Sequence, residues 1–454
     1  MIQLPEAFKE QIIDQIGEDN GLKLFATLDS QAPTSIRVNP FKVHAAPDLR
    51  SVGWSRYGFY LEQRPIFTLD PAFHAGNYYV QEAGSQFISH LLSGLDLEGK
   101  CVLDMCAAPG GKSTLYSTLV GLEGLVVANE INRQRAGVLA ENAKKWGLGN
   151  IVVTNNDPSA VAQFSSWFDL VAVDAPCSGE GMFRKMPEAR EEWTPQSVAL
   201  CVKRQEDIMH EAWSSLKAGG IFIYSTCTFN RHENEQQLEA FAEWAGDELS
   251  SFEVVECDAN WGVECSQVGE FQCFRFWPHM AEGEGFFAAI ARKSFDAGGK
   301  SRMPKSKKSI FSTIDRPSLK ELQRWISQPS LMEFYIVADR VYGYYSAKMN
   351  EIKRLAETLH VVHSGVVMGQ IFKGSLKPDP SLAHFHDVSR EALPWVELEK
   401  EDALNFLRKG ELSAELFEEG LSLVCHEGSP LGFVKRVGRR VNNMYSNSLR
   451  ILNY

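Results

Sequence analysis

The sequence contains no C-x-x-C pair, no apolar run approaching the ~18 residues a membrane span needs, no internal repeat and no extended low-complexity tract. Each absence excludes something. Without paired spacing, nine cysteines in 454 residues form neither a disulfide scaffold nor a zinc ribbon, and they read as free thiols in a reducing compartment. The opening Met1-Ile2-Gln3-Leu4-Pro5, followed by Glu6, Lys9, Glu10 and Asp14, lacks the basic and apolar regions of an export signal, so a cytoplasmic protein with no membrane partner is expected. Positive charge is also short. With 46 Lys and Arg against 58 Asp and Glu, the net charge of −12 argues against non-specific coating of nucleic acid, although it permits local basic surfaces.

What is present is an ordinary soluble composition, 44% apolar and 23% charged, long enough for about three domains at ~150 residues each. The first 95 residues read as a mixed α+β segment, with a helix over Phe8 to Ile16, a strand over Thr34 to Asn39, and an aromatic stretch from Tyr78 running into a helix by Leu92. From 96 to 293 the pattern changes to alternating strands and helices. Strands are expected at Cys101 to Met105, Leu125 to Asn129, Ile151 to Thr154, Phe168 to Asp174 and Gly220 to Ser225, with Phe286 to Ala291 as the last. Helices are expected at Ser113 to Val120, Arg133 to Trp146, Pro195 to Leu216 and Glu233 to Trp244. That alternation implies an α/β doubly wound, mostly parallel sheet. A cationic, small-residue linker spans 294–310, and 311–454 reads as one or two small α+β modules, with strands at Phe334 to Ala338, Val341 to Tyr345 and His360 to Met368 and a helix at Lys400 to Arg408.

In such a sheet, ligands bind beyond the carboxyl ends of the strands. The first strand opens into Cys106-Ala107-Ala108-Pro109-Gly110-Gly111-Lys112, where glycines allow close approach of a ligand and proline stiffens the turn. Glu130 ends the second strand, placed to accept ribose hydroxyls, and Asp157 follows the third, placed to hold a base amino group. Gly111-Lys112-Ser113 invites a phosphate-loop reading, but that pattern requires glycine where Cys106 stands. The carboxylates Asp104, Glu130 and Asp157 would also repel a triphosphate, so a nucleoside-bearing cofactor fits better.

The fourth and fifth strands end in Asp174-Ala175-Pro176-Cys177 and Ser225-Thr226-Cys227, which places two thiols and a carboxylate on one rim. Either cysteine alone would read as a small core residue. Together they suit methylation of carbon 5 of a pyrimidine, because that carbon becomes nucleophilic only after a thiolate adds to carbon 6. Asp174, protonated or bridged through its partners, would serve the ring nitrogen, and the second thiol would assist release. Spacing alone leaves open which cysteine attacks. The remaining seven (Cys101, Cys106, Cys201, Cys257, Cys265, Cys273, Cys425) are read as structural, Cys106 lining the loop by position only.

Residues from about Pro33 to Lys293 resemble the NOP/Sun family of RNA cytosine-5 methyltransferases. The resemblance rests on Ser35-Ile36-Arg37-Val38-Asn39, Gly76 to Ala83, Asp104 to Lys112, Asp174 to Gly179 and Ser225 to Thr228. Within the family, the bacterial branch acting on small-subunit (16S) ribosomal RNA is most similar. Its C-terminal PUA-like module is resembled more weakly by Leu431 to Lys435, Arg439 to Tyr445 and Leu449 to Ile451. The resemblance implies a Rossmann-like class I methyltransferase using S-adenosylmethionine and no metal. It implies Cys227 as nucleophile, Cys177 as release thiol, and Cys106, Ala107, Ala108, Pro109, Gly110, Gly111, Lys112, Glu130, Asp157 and Asp174 as cofactor contacts. Gly84 stands where many relatives have serine. The partner would be RNA, small-subunit ribosomal RNA or the subunit itself, with transfer RNA as the nearest alternative. A non-catalytic assembly factor is the rival from another class. Lys112 is a candidate to activate the thiol or to hold the loop. RNA would be met by Lys300, Arg302, Lys305, Lys307 and Lys308 in the linker and by Lys435, Arg436, Arg439, Arg440 and Arg450 near the end. Tyr78, Tyr79 and Phe183 could stack on bases, or belong to the core.

Overall fold

The computed structural model describes residues 2–298, 301, 304 and 309–452. The linker cations Lys300, Arg302, Lys305, Lys307 and Lys308 lie outside the described residues.

Five apolar runs pair as parallel strands: β1 (Cys101–Asp104), β2 (Leu125–Asn129), β3 (Ile151–Thr154), β4 (Phe168–Asp174) and β5 (Leu216–Thr226). β1, β2 and β3 are buried along their whole length because helices cover both faces, which is why their sequences are nearly unbroken runs of branched apolar residues. Four further strands join antiparallel: β6 (Glu264–Val268), β7 (Phe271–Phe276), β8 (Phe286–Lys293) and β9 (Val361–Ser364). The path through this ten-stranded sheet is β6-β7-β8-β5-β4-β1-β2-β3-β9, with the short strand Leu249–Ser250 paired off it to β8. Chain order reverses between β1 and β4, so the crevice for a ligand opens there.

Three helices matter for the site. α1 (Gly111–Leu119) begins at Gly110, whose φ of +114° a side chain would resist. α2 (Arg133–Trp146) is capped by Asn132, whose side chain accepts from the amides of Gln134 and Arg135, and ends at Gly147 in the left-handed conformation. α3 (Pro195–Ser215) starts from a capping box between Thr194 and Ser197.

Before the sheet, helices Glu6–Ile16 and Glu18–Leu28 precede a three-stranded antiparallel sheet of Gly58–Leu61, Thr34–Val38 and Tyr78–Val80. After it come a five-stranded sheet with Met332–Val337 and Arg340–Tyr345 at its centre, and a four-stranded sheet of Trp395–Glu397, Gly420–His426, Ser429–Val437 and Arg440–Asn443. The expected single strand at His360 to Met368 is two. Gly365, at φ +59°, bends the chain so that β9 extends the central sheet while Val366–Phe372 enters the five-stranded one. A Cβ at Gly365 would lie 2.6 Å from the Gly343 carbonyl, so the bend requires glycine on steric as well as conformational grounds.

Candidate active site

At the rim where β4 and β5 end, Cys177 Sγ lies 3.3 Å from Cys227 Sγ, and the Cys227 amide points at Cys177 Sγ from 3.4 Å. Parallel pairing sets this up, since Asp174 is in register with Ser225. The loops continue side by side beyond the strands. Ser178 and Thr228 hydroxyls are 2.9 Å apart, and Asn230 Nδ2 donates to Glu180 Oε1 at 2.9 Å.

Asp174 Oδ1 accepts from Lys112 Nζ at 2.9 Å and from Ser225 Oγ at 2.8 Å. Lys112 also lies over the Phe286 ring. Burial lowers the Lys112 ammonium, but Asp174, Asp104 and the sulfur of Cys227 together outweigh it, and the net shift is upward. Lys112 is therefore a fixed cation within electrostatic reach of Cys227 as well as a brace for the loop. The Cys177 thiol is raised well above the usual range, first by its hydrogen bond to Cys227, then by burial and by the charges of Cys227 and Glu233. The Cys177 thiol therefore holds its proton.

A cavity of about 780 Å³ opens beside the thiols. Cys106, Ala108, Glu130, Asp157, Asp174, Cys177 and Cys227 all line it, so the structure gathers most of the expected residues into one space. Ala107 does not reach it. Its amide donates to the Asn129 carbonyl, and both Ala107 and Ala108 pack into the core under the loop. Pro109, Gly110, Gly111 and Lys112 form the turn and the first turn of α1 behind the lining, which assigns them to shaping the loop. Glu130 is buried, with Oε1 accepting from the Asn132 amide at 2.8 Å and Oε2 facing Arg135 at 3.4 Å. Asp157 lies at the mouth as a helix N-cap, its Oδ1 accepting from the Ser159 amide and hydroxyl, and these bonds hold its carboxyl below the usual range. The Cys106 thiol is pushed up by burial and then by Asp104, Asp174 and Glu130, as suits an inert lining residue.

Asp104, at the end of β1, is 1% exposed. Ser113 Oγ donates to its Oδ2 at 2.6 Å, while Oδ1 is buried without a partner. Burial, then the charges of Asp174 and Glu130, raise this carboxyl to about 7 against the pull of Ser113 and Lys112. An unpartnered acceptor under the loop suits a ligand that brings a donor or a positive charge.

Five residues belong to the site although sequence reasoning gave them no role. Arg37 is buried, donates to Gln81 Oε1, to the Gly111 carbonyl and to Thr114 Oγ1, and thereby ties the N-terminal sheet to the start of α1. It stood in a quoted motif, which was the available signal. Glu180 is buried and accepts from the amides of Phe229 and Asn230 and from the side chains of Asn230, Trp193 and Gln11. Glu233 accepts from the Ser178 amide, Gln205 and Asn230. With Asn230 these carboxylates clamp the two cysteine loops. Gly181 donates its amide to the Cys227 carbonyl, and a Cβ there would meet the Gly285 carbonyl at 2.5 Å. Phe183 is fully buried against Phe8 and is a core residue, whereas Tyr78 is half-buried, donating to Asp70 among Phe67 and Phe73.

A doubly wound sheet reversing at β1 and β4, closed by antiparallel β8 and opening on this cavity, defines a Rossmann-like methyltransferase. A methyltransferase homologue from Pyrococcus horikoshii superposes with a TM-score of 0.53 at 27% identity, covering 64% of this chain and 96% of that one. NSun6 from the same organism, solved with SFG, gives 0.54 at 20% identity over 64% of this chain and 98% of its own. The family model described as 16S rRNA methyltransferase RsmB/F matches residues 95–292, that for the N-terminal domain of 16S rRNA methyltransferase RsmF matches 4–83, and that for the methyltransferase RsmF PUA domain matches 394–451. Each of these three parts of the chain thus resembles the corresponding part of the 16S rRNA methyltransferases RsmB/F. It is similar to ribosomal RNA small subunit methyltransferase F of Aliivibrio fischeri strain MJ11, 29% identical over 97% of this chain and 96% of that one. It is also similar to the protein of that name in Vibrio cholerae serotype O1, 34% identical over 64% of each. Among the described residues, no helix is long and apolar enough to cross a membrane and no cluster of three His, Cys, Asp or Glu is placed to hold a metal ion.

Proposed function

We propose that the protein methylates carbon 5 of a cytosine in small-subunit ribosomal RNA, through a covalent adduct between Cys227 and carbon 6 of the ring. The observation that carries this reading is the pair of thiols 3.3 Å apart, one holding its proton and the other facing Lys112.

S-adenosylmethionine suits the residues present, since a cavity of about 780 Å³ lies within the usual range for small-molecule sites and its charged lining is five carboxylates against two arginines, Arg135 and Arg204. Glu130 and Asp157 would meet its adenosine part, and the carboxylates of the lining would complement its positive charge. When bound, it supplies an electrophilic methyl group on a sulfonium. The chain's own residues do the rest. Attack of the Cys227 thiolate on carbon 6 breaks the 5,6 double bond and sends its electron pair toward carbon 5 and nitrogen 3. Asp174, steadied by Lys112 and Ser225, faces the cavity to hydrogen-bond the ring edge. Carbon 5 takes the methyl group and must then lose its proton. The chief cause of the raised Cys177 thiol is Cys227, and that cause disappears once the Cys227 sulfur is tied up as an uncharged thioether. Burial and Glu233 still favour the thiol, so Cys177 acts as base in the fraction that has given its proton to solvent, and that thiolate accepts the proton from carbon 5. The electron pair re-forms the double bond and expels Cys227 as thiolate.

Cys227→Ala is expected to abolish transfer and adduct alike, whereas Cys177→Ala accumulates a protein–RNA adduct visible on a denaturing gel. An adduct with Cys227→Ala and none with Cys177→Ala reverses the roles. Bisulfite sequencing of RNA from cells with and without the gene should show a lost 5-methylcytosine in small-subunit RNA. A loss confined to transfer RNA refutes the substrate.

A further inference from the structure

A second cavity, of about 890 Å³, lies away from the thiols, where three parts of the chain meet. Phe41, His44 and Asn77 come from the N-terminal segment. Arg324, His384, His386 and Arg390 come from the region around the five-stranded sheet, and Trp395 and Ser429 from the four-stranded one. Nothing in the proposed chemistry uses it. Its walls nevertheless depart from the acidic balance of the chain. Lys42, Arg324 and Arg390 stand against one carboxylate, Glu391, among the described residues lining it.

The polar groups are of a particular kind. Arg390 lies over the Trp395 ring at 4.5 Å from its centre, presenting a planar cation stacked on an aromatic face, and the Trp395 indole N–H is buried without a partner. His384 is 4% exposed and its Nδ1 also has no partner. Burial, and then Lys42 and Lys145, hold His384 well below the usual imidazole range; His386 is brought to about 4 by burial and Lys42. Both rings are therefore neutral near pH 7; His386 Nε2 already bonds the Tyr345 hydroxyl at 2.9 Å, and the unpartnered His384 Nδ1 is an uncharged polar group, which suits a base edge better than a phosphate. An exposed Arg324 and the Arg390–Trp395 stack supply the charge and the flat surface that unpaired nucleotides use.

Geometry connects this cleft to the catalytic cavity. Arg135, near the start of α2, lines the catalytic cavity. At the other end of the same helix, Lys42 donates to the Lys145 carbonyl at 2.8 Å and the His386 amide to the Gly147 carbonyl at 3.0 Å. The 14 residues of α2 span about 20 Å at the helical rise, a few nucleotides of extended strand.

We propose that this cleft holds an unpaired nucleotide of the RNA substrate, a few residues from the target cytosine, its base stacked on the Arg390–Trp395 pair. The proposal rests on the RNA-methylating function above. Its test is steady-state methylation of in-vitro-transcribed small-subunit RNA by the full chain and by Arg390→Glu, Arg390→Lys and Trp395→Ala. RNA containing 4-thiouridine is crosslinked in parallel and mapped to peptides. Arg390→Glu is expected to raise KM for RNA about tenfold with kcat and S-adenosylhomocysteine affinity unchanged, Arg390→Lys less, and crosslinks should fall on peptides bearing Arg390 or Trp395. Because Arg390 is exposed, its variants keep the test valid should Trp395→Ala fail to fold. An unchanged KM with no cleft crosslink overturns the proposal. So does a cleft that crosslinks to a ribosomal protein in assembled subunits and not to RNA. A wild-type chain that methylates no RNA sinks the proposed function instead, and the crosslinks still report on the cleft.

Discussion

Replacing Asp104 by asparagine should have an effect on stability that grows more favourable as pH rises. Asp104 is fully buried, and its carboxyl is raised from the usual 3.8 to about 7, chiefly by desolvation. A buried acid with a raised value favours the folded state least when it is ionised. Its penalty is absent below pH 3.8, grows as pH rises, and is complete above about 7. At about 1.4 kcal/mol per unit, the penalty is about 1.7 kcal/mol at pH 5 and about 4.3 kcal/mol at pH 8. Asparagine removes that dependence and can still accept from Ser113, but it buries an amide with no partner at a cost of about 1–3 kcal/mol. Asp104→Asn should therefore be about neutral at pH 5 and stabilising by about 1–3 kcal/mol at pH 8, a difference of about 2.5 kcal/mol between the two conditions. Urea unfolding without added ligand, followed by tryptophan fluorescence, measures it. An Asp104→Asn protein whose stability relative to wild type is the same at pH 5 and pH 8 would refute the reasoning.

Arg37→Met deletes three buried donor contacts beneath the start of α1, and should cost about 3 kcal/mol of stability and weaken S-adenosylhomocysteine binding at least tenfold by titration calorimetry. Arg37→Lys should recover only part of this, because an ammonium cannot reproduce the planar fork that meets both Gln81 and Thr114. On the last hairpin, Lys435, Arg439 and Arg440 are exposed, while Arg436 is tied to the Phe417 and Gly438 carbonyls. Arg439→Glu with Arg440→Glu should raise the KM for RNA and flatten its dependence on salt concentration, with little effect on kcat.

The central strands were legible in the sequence because burial on both faces leaves a run such as Ile151-Val152-Val153-Thr154 with no polar alternation to confuse it. Where burial is one-sided or absent, that signal fades. β6 exposes four of its five residues, Glu264-Cys265-Ser266-Gln267, and owes its strand conformation to pairing with β7, a contact no local pattern announces. β9 was legible as a strand but not as a member of the central sheet, because its partner β3 lies about 200 residues earlier and the bend at Gly365 hides where one strand ends and the next begins.

The same distinction runs through the site. Cys177, Cys227, Asp174 and Glu130 could be read from their places at strand ends, since a doubly wound sheet delivers those ends to one crevice. Glu180, Asn230 and Glu233 could not, because their role exists only between loops. A trace was nevertheless present. Cys177 and Cys227, Ser178 and Thr228, and Glu180 and Asn230 are each 50 positions apart, and each pair is in contact. The strands beneath are offset by 51, Asp174 facing Ser225, so one residue of slip occurs where strand becomes loop. Two chains leaving a sheet side by side would ordinarily diverge as their hydrogen-bond ladder ends. Here the ladder is continued by side chains, with the buried Glu180 carboxylate taking the place of a strand partner for the amides of Phe229 and Asn230. That continuation holds the two sulfurs 3.3 Å apart, because the loops are gripped from the residue after each thiol, where Ser178 meets Thr228 and Glu233, to the third, where Glu180 meets Asn230.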